Sequence, residues 1–168
     1  MNDECLAIRH SEATYRLVLL HGWGADADDL MPIGKELIRL DGKNIELLSL
    51  RAPQLHPDGF GRQWYGLFPP DWSAVPSAIN SLQHRLRTIS TSEVPLEKTV
   101  VLGFSQGGAM ALASGCELPL AGLICCSAYP HPNWTPPKEL PPVALFHGKK
   151  DEIVPIQASR KIFELIKL

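Results

Sequence analysis

Apolar residues follow two rhythms along this chain. Six short runs are nearly continuous: Cys5 to Arg9, Tyr15 to Leu20, Ile45 to Leu50, Thr99 to Phe104, Ala121 to Cys126 and Val143 to His147, each ending at a turn signal. Runs of this kind predict strands buried on both faces, as in a parallel sheet covered by helices. Between them the spacing turns helical. From Asp28 to Leu40 the set Leu30, Ile33, Leu37 and Ile38 keeps i, i+3, i+7, i+8 spacing, with Asp26, Asp28 and Asp29 at the end where a helix favours negative charge. A second helix is predicted over Val75 to Ile89, with Ile79, Leu82, Leu86 and Ile89 on one face and Gln83, His84, Arg85 and Arg87 off it. A third is predicted to start after Ser105 and run to about Cys116. A fourth has Pro155 at or near its first turn, where a missing N–H costs nothing, and runs to the last residue.

Alternating strands and helices place the chain in the α/β class, with a mostly parallel central sheet and helices on both faces. Only His10 to Thr14 separate the first two strands, so these are expected to pair as an N-terminal antiparallel hairpin. Two segments stand outside the alternation. Arg51 to Trp72 mixes glycines, prolines and aromatics, and Tyr129 to Pro142 holds six prolines. Both follow the C-terminal end of a strand, where open α/β sheets bind ligands. Loops this long are usually functional or disordered. The proline-rich one reads as a stiff connector, the alternative being a docking site for a proline-reading partner.

A length of 168 residues suits a single domain over 1–168, with enough buried surface to need no staples. Charged residues make up 20% and the net charge is −2, which predicts no nucleic-acid partner. The start, MNDECLAIRH, lacks a basic segment leading into an apolar stretch, and no run is long enough to span a bilayer, so no stable membrane insertion is expected. Cys5, Cys116, Cys125 and Cys126 lack the paired spacing of a zinc site or disulfide framework. They read as small hydrophobes in a reducing, cytoplasmic setting.

The chemistry concentrates at three strand ends. GFSQGG, residues 103 to 108, puts Ser105 between glycines, after an apolar strand and before the helix-forming stretch Gly108 to Ala113. That is the strand–turn–helix context of a nucleophile elbow, whose tight turn tolerates no side chain on either side; the string alone is weak, and a serine capping a helix is the plainer reading. Acyl transfer also needs donors for a developing oxyanion. Gln106 supplies one backbone N–H, and LLHGWGADADD, residues 19 to 29, can supply a second from Trp23, unless it is simply a glycine turn into a helix. In VALFHGKKDEIVP, residues 143 to 155, Asp151 either orients a histidine or caps a turn.

In this order, LLHGWGADADDL (19–30), RAP (51–53), QWYG (63–66), GFSQGGAMAL (103–112) and HGKKDEIVP (147–155) resemble the phospholipase/carboxylesterase family of α/β-hydrolases, which includes acyl-protein thioesterases. The resemblance implies a cofactor-independent serine hydrolase of carboxylic esters or thioesters, of the carboxylesterase, lysophospholipase or acyl-protein thioesterase kind, acting on a small-molecule or acylated substrate through an acyl-enzyme. Ser105 would be the nucleophile and Asp151 the triad acid, with the N–H groups of Trp23 and Gln106 as oxyanion hole. Trp64, Tyr65, Leu67, Phe68 and Trp72 either wall an acyl groove or plug the core. The chain departs from the family at Gly66, where an acidic residue is common. Dienelactone hydrolases share the architecture but usually carry cysteine at the elbow, so Ser105 argues against them.

The family order is Ser, acid, His, yet none of the 17 residues after Asp151 is histidine. His21 and His147, in His-Gly turns, read as structural; His84 faces solvent; His10 lies in the expected first hairpin; His56 and His131 lie on the long loops. His131 is the single substitute base considered, because its loop follows the strand after the elbow. The resemblance implies a C-terminally incomplete hydrolase, with the last strand, the histidine loop and a closing helix missing. Val143 to His147 would then be an unpaired edge, and activity would be weak, since loss of a triad base can lower turnover roughly a million-fold. A non-catalytic acyl-binding protein is the alternative.

Overall fold

The computed structural model describes residues 4–41 and 44–167. The expected strands form: β1 (Cys5–Ile8), β2 (Tyr15–Leu20), β3 (Ile45–Leu50), β6 (Thr99–Phe104), β7 (Gly122–Cys126) and β8 (Val143–Phe146) make one sheet, in the order β1-β3-β2-β6-β7-β8. Between them a two-strand ribbon, β4 (Gln54–Leu55) and β5 (Arg62–Gln63), orders the first half of the long aromatic loop, which alternation of apolar residues did not signal. Helices α1 (Met31–Asp41), α2 (Val75–Thr88), α3 (Gln106–Gly115) and α4 (Gln157–Ile166) match the four expected ones. The predicted end of the fourth at Leu168 lies outside the described residues.

The N-terminal hairpin does not form. β1 is antiparallel, but it pairs with β3, from Cys5 opposite Leu50 to Ile8 opposite Leu47. The cause is burial. Leu17 to Leu20 are all shielded, so β2 takes the centre, with parallel partners β3 and β6 on its two sides. The half-exposed β1 is left the edge beyond β3. At the other edge stands β8, where Phe146 is 59% exposed.

The sheet separates two cores. On one side Val18, Leu20, Leu48 and Leu50 pack with α2 and α3 residues such as Leu82, Leu86, Met110 and Leu112, and with Ile162 of α4. On the other, Leu17, Leu19, Leu47 and Leu102 meet Leu30, Met31 and Ile38 from the α1 region. The face that α1 presents differs from the expected one. Ile33 and Leu37 are exposed, and Gly34 is the buried point of contact, where a Cβ would stand 2.7 Å from Leu19 Cδ1. The acidic residues all precede the first turn of α1, which contains none. Asp26 instead accepts from Ala27 N–H and from Arg51 Nε at 2.8 Å, pinning the loop after β2 to the end of β3. On α2, Gln83, off the expected apolar face, is nonetheless buried, because its amide reaches Ser114 O and Glu117 Oε2 at the end of α3.

Candidate active site

Ser105 sits where β6 ends and α3 begins, at φ 52°, ψ −116°, a region that costs a non-glycine residue about 1–3 kcal/mol. Its neighbours explain how the turn persists. A Cβ on Gly103 would lie 2.1 Å from Gly107 O, and one on Gly107 would lie 2.1 Å from Leu20 O, so both glycines are demanded by backbone against backbone. Ser105 N–H donates to Cys126 O at 2.9 Å, tying the apex to the adjacent strand. The result is a half-buried hydroxyl held at the C-terminal end of the sheet.

The loop after β2 abuts this serine. A Cβ on Gly22 would be 3.6 Å from Ser105 Cβ. His21 is fully buried and structural: Ala52 N–H donates to its Nε2 at 3.1 Å, so Nδ1 carries the proton and donates to Gly22 O at 2.8 Å. Burial lowers its pKa, which keeps the ring neutral. Trp23 is fixed by Nε1–H to Gln63 Oε1 at 2.9 Å and by edge contacts with His56 and Phe68. Among the described residues, no protein acceptor takes the backbone N–H of Trp23 or of Gln106.

Gln106 does more than expected of it. Its side chain is fully buried; Oε1 accepts from Trp64 N–H at 3.0 Å and Nε2 donates to Tyr65 O at 2.8 Å. This glutamine therefore clamps the aromatic loop onto the elbow, a role signalled only by one polar residue at the start of an otherwise apolar helix. The aromatics themselves divide. Trp64 and Tyr65 are core residues, 2% and 0% exposed, with Trp64 Nε1–H donating to His21 O. Leu67 and Phe68 line a groove of about 330 Å³ with Ser105, Trp23, Tyr129 and the Ile153–Val154–Pro155 turn. Trp72 meets Tyr65 at a tilt and His131 edge-on, with ring centroids 6.0 and 6.4 Å apart. Beside Gly66 the loop closes on itself, Asp71 N–H donating to Gly66 O at 2.8 Å.

Asp151 lies past the end of β8, in the same turn that borders the groove. Its Oδ1 accepts from Val154 N–H at 2.9 Å and Ile153 N–H at 3.1 Å. The Val154 N–H above all, then the Ser127 hydroxyl, hold its carboxyl below the usual carboxylate range. Ser127, at φ 47°, joins the ends of β7 and β8 through its N–H to Phe146 O.

None of the groove's lining residues is a histidine. His147 is saturated by structure: Nε2–H donates to Val154 O and Nδ1 accepts from Ser159 Oγ, both at 2.6 Å, while Asp151 Oδ2 is 3.6 Å away. His131, the substitute considered above, is buried with Nε2 2.9 Å from the Tyr65 hydroxyl, which in turn meets the Tyr129 hydroxyl at 2.8 Å. Burial drives its pKa down to about 4. It reaches the groove only through two tyrosines, and is no base for Ser105. Tyr129, which sequence reasoning passed over, is the residue of that chain that borders the groove; nothing in its proline-rich surroundings marked it.

Comparison with known proteins decides the family. The phospholipase/carboxylesterase family model matches residues 2–167. The chain belongs to the phospholipase/carboxylesterase family. It is 26% identical to acyl-protein thioesterase 1 of Saccharomyces cerevisiae over 93% of this chain and 78% of that protein. The solved structure of esterase PE8 superposes with a TM-score of 0.86 at 28% identity, over 98% of this chain and 83% of that one. Acyl-protein thioesterase 2 of Zea mays shares the fold, with a TM-score of 0.67 at 19% identity over 97% of this chain and 83% of its own. The family resemblance is to carboxylic ester and thioester hydrolases with the α/β-hydrolase fold. No helix among the described residues is long and apolar enough to cross a membrane.

Proposed function

We propose that this single α/β-hydrolase domain cleaves carboxylic esters or thioesters through an acyl-enzyme on Ser105. The observation that carries the reading is Ser105 itself: a serine at positive φ, backed by two obligatory glycines, opening on a groove of about 330 Å³. Ser105 Oγ attacks the acyl carbonyl, the N–H groups of Trp23 and Gln106 receive the oxyanion, and the alcohol or thiol leaves. Water then attacks the acyl-serine and releases the acid. Leu67, Phe68 and Ile153 offer apolar contact to an aliphatic acyl chain, which agrees with the relatives named as acyl-protein thioesterases. Asp151 is the acid that would steady a protonated imidazole. A cytoplasmic setting fits the four cysteines, all unpaired.

The base is the open place in this reading. With no histidine lining the groove, Ser105 is activated poorly in this chain, and a second reading, an acyl-binding protein with little turnover, is favoured by that same observation. Hydrolysis of a short p-nitrophenyl ester, with and without added imidazole, separates them. A serine hydrolase short of its base shows a rate increase with imidazole that is lost in Ser105→Ala. A rate insensitive to that substitution under both conditions refutes the role of Ser105, and a chain that binds the acyl group yet gains nothing from imidazole is the binding protein.

A further inference from the structure

A second cavity, of about 290 Å³, opens at the C-terminal end of β3 and shares no lining residue with the serine groove; Arg51, Arg62, Arg85, Glu4, Pro53 and Ser81 border it. Three guanidinium groups around one concavity demand an account of their charge. Arg51 pairs with Asp26. Arg85, half-buried, spends its fork on carbonyls, Nη1–H to Arg51 O at 2.8 Å and Nη2–H to Glu4 O at 2.9 Å. Arg62 Nη1–H donates to Pro53 O at 3.3 Å. Among the described residues neither Arg62 nor Arg85 forms an ion pair. Burial pulls the pKa of Arg85 down, the mark of a cation without full compensation. Carbonyl bonds hold these side chains in place while leaving net positive charge and further N–H donors, which is the preparation a planar fork makes for a tetrahedral oxyanion.

We propose that this cavity binds a phosphate-bearing anion, with Arg62 and Arg85 as its principal ligands and Arg51 and Ser81 in support. Two unpaired guanidiniums match a dianion better than a monocarboxylate, and the volume admits a phosphomonoester as well as free phosphate. Glu4 is the opposing charge at the same cavity and lowers the affinity. Through its backbone, Arg62 is zippered to the loop that carries Trp23: Gly24 N–H donates to Arg62 O at 2.9 Å and Arg62 N–H to Ala25 O at 2.7 Å. The anion site thus shares Arg62 with the ribbon whose Gln63 holds Trp23 at the serine groove.

Calorimetric titration with inorganic phosphate and with glycerol 3-phosphate tests this directly, without reference to hydrolysis, so its outcome is separate from that of the Ser105 assay. Wild-type protein is expected to bind phosphate and to prefer it to acetate. Arg62→Gln should weaken binding by about tenfold or more, the loss of one charge-assisted contact. Ser81→Asp, which places a negative charge in the cavity from the exposed face of α2, should abolish it, and Glu4→Gln should strengthen it. Circular dichroism and thermal melting identify any variant that fails to fold, in which case the remaining two carry the test. Sedimentation with phosphatidylcholine vesicles, with and without phosphatidic acid, distinguishes the source. Retention on phosphatidic acid that is lost in Ser81→Asp identifies a lipid headgroup; binding to glycerol 3-phosphate alone identifies a free phosphate. No binding of phosphate, or binding unchanged by all three substitutions, overturns the proposal.

Discussion

Replacing Gln106 by leucine removes one clamp without changing the volume much, and its cost can be worked from two contacts. The substitution orphans Trp64 N–H and Tyr65 O, main-chain groups of residues 2% and 0% exposed that water does not reach. A buried polar group left without a partner costs about 1–3 kcal/mol, so the pair costs about 2–6 kcal/mol, against a total stability of about 5–15 kcal/mol for an ordinary domain. Urea unfolding followed by tryptophan fluorescence should show the midpoint fall by about 1–3 M with little change in slope. Leu67 and Phe68 sit just beyond the released residues and border the groove, so labelling of Ser105 by a serine-reactive fluorophosphonate should slow as well. A midpoint shift worth less than about 0.5 kcal/mol would refute the reasoning, because it would mean that Trp64 and Tyr65 find other partners and that Gln106 does not hold the loop.

Three further outcomes are expected. Arg16 is 1% exposed and bonded to Glu46, Val94 O and Thr99 Oγ1; Glu46→Ala should cost about 3–5 kcal/mol by leaving the guanidinium uncompensated, whereas the double change Arg16→Met with Glu46→Leu should be much milder in the same denaturation assay. Gly107→Ala should lower stability by about 3 kcal/mol, because the added methyl meets Leu20 O, a backbone atom that cannot swing aside; a melting temperature like wild type would contradict the close approach. His131 is neutral in the fold, its pKa lowered to about 4 from an ordinary 6.5 by burial. The unfolded chain therefore binds a proton that the folded one refuses, and stability is full above pH 6.5 and is lost as pH falls toward about 4. Unfolding measured across that window should show a shallower acid loss in His131→Asn than in wild type.

Much of the fold could be read from local pattern. The strands Tyr15–Leu20, Ile45–Leu50 and Thr99–Phe104 have the predicted limits, and α1 and α2 lie where 3.6-residue spacing put them, because burial on a sheet or helix face imposes its period on neighbouring residues; α3 and α4 follow the turns at Ser105 and Pro155 that announced them. The serine elbow was equally legible, since its glycines answer to a turn only five residues long. What stayed hidden depends on residues far apart in the chain. β1 goes to β3 rather than β2 because both sides of β2 are taken by its parallel partners β3 and β6, a competition among strands far apart in the chain. Gly34 rather than Ile33 or Leu37 docks α1, because the distance of closest approach is set by Leu19 and Leu47 across the gap. Trp64 and Tyr65 become core, Leu67 and Phe68 become groove, although all four lie within five positions.

The sequence by itself determined which segments form the six strands of the main sheet, which are helices, and that a serine stands at one strand-to-helix turn with an acid, Asp151, beyond a later strand. These are properties of neighbours, written in spacing and turn chemistry. Tertiary structure alone decided that Gln106 clamps the aromatic loop, that Tyr129 borders the groove, that every groove-lining position is something other than histidine, and that three arginines, from just past β3, from β5 and from α2, converge on a separate cavity. Those contacts join residues tens of positions apart, and their selectivity comes from the buried hydrogen bonds and charges that only the packed chain brings within reach.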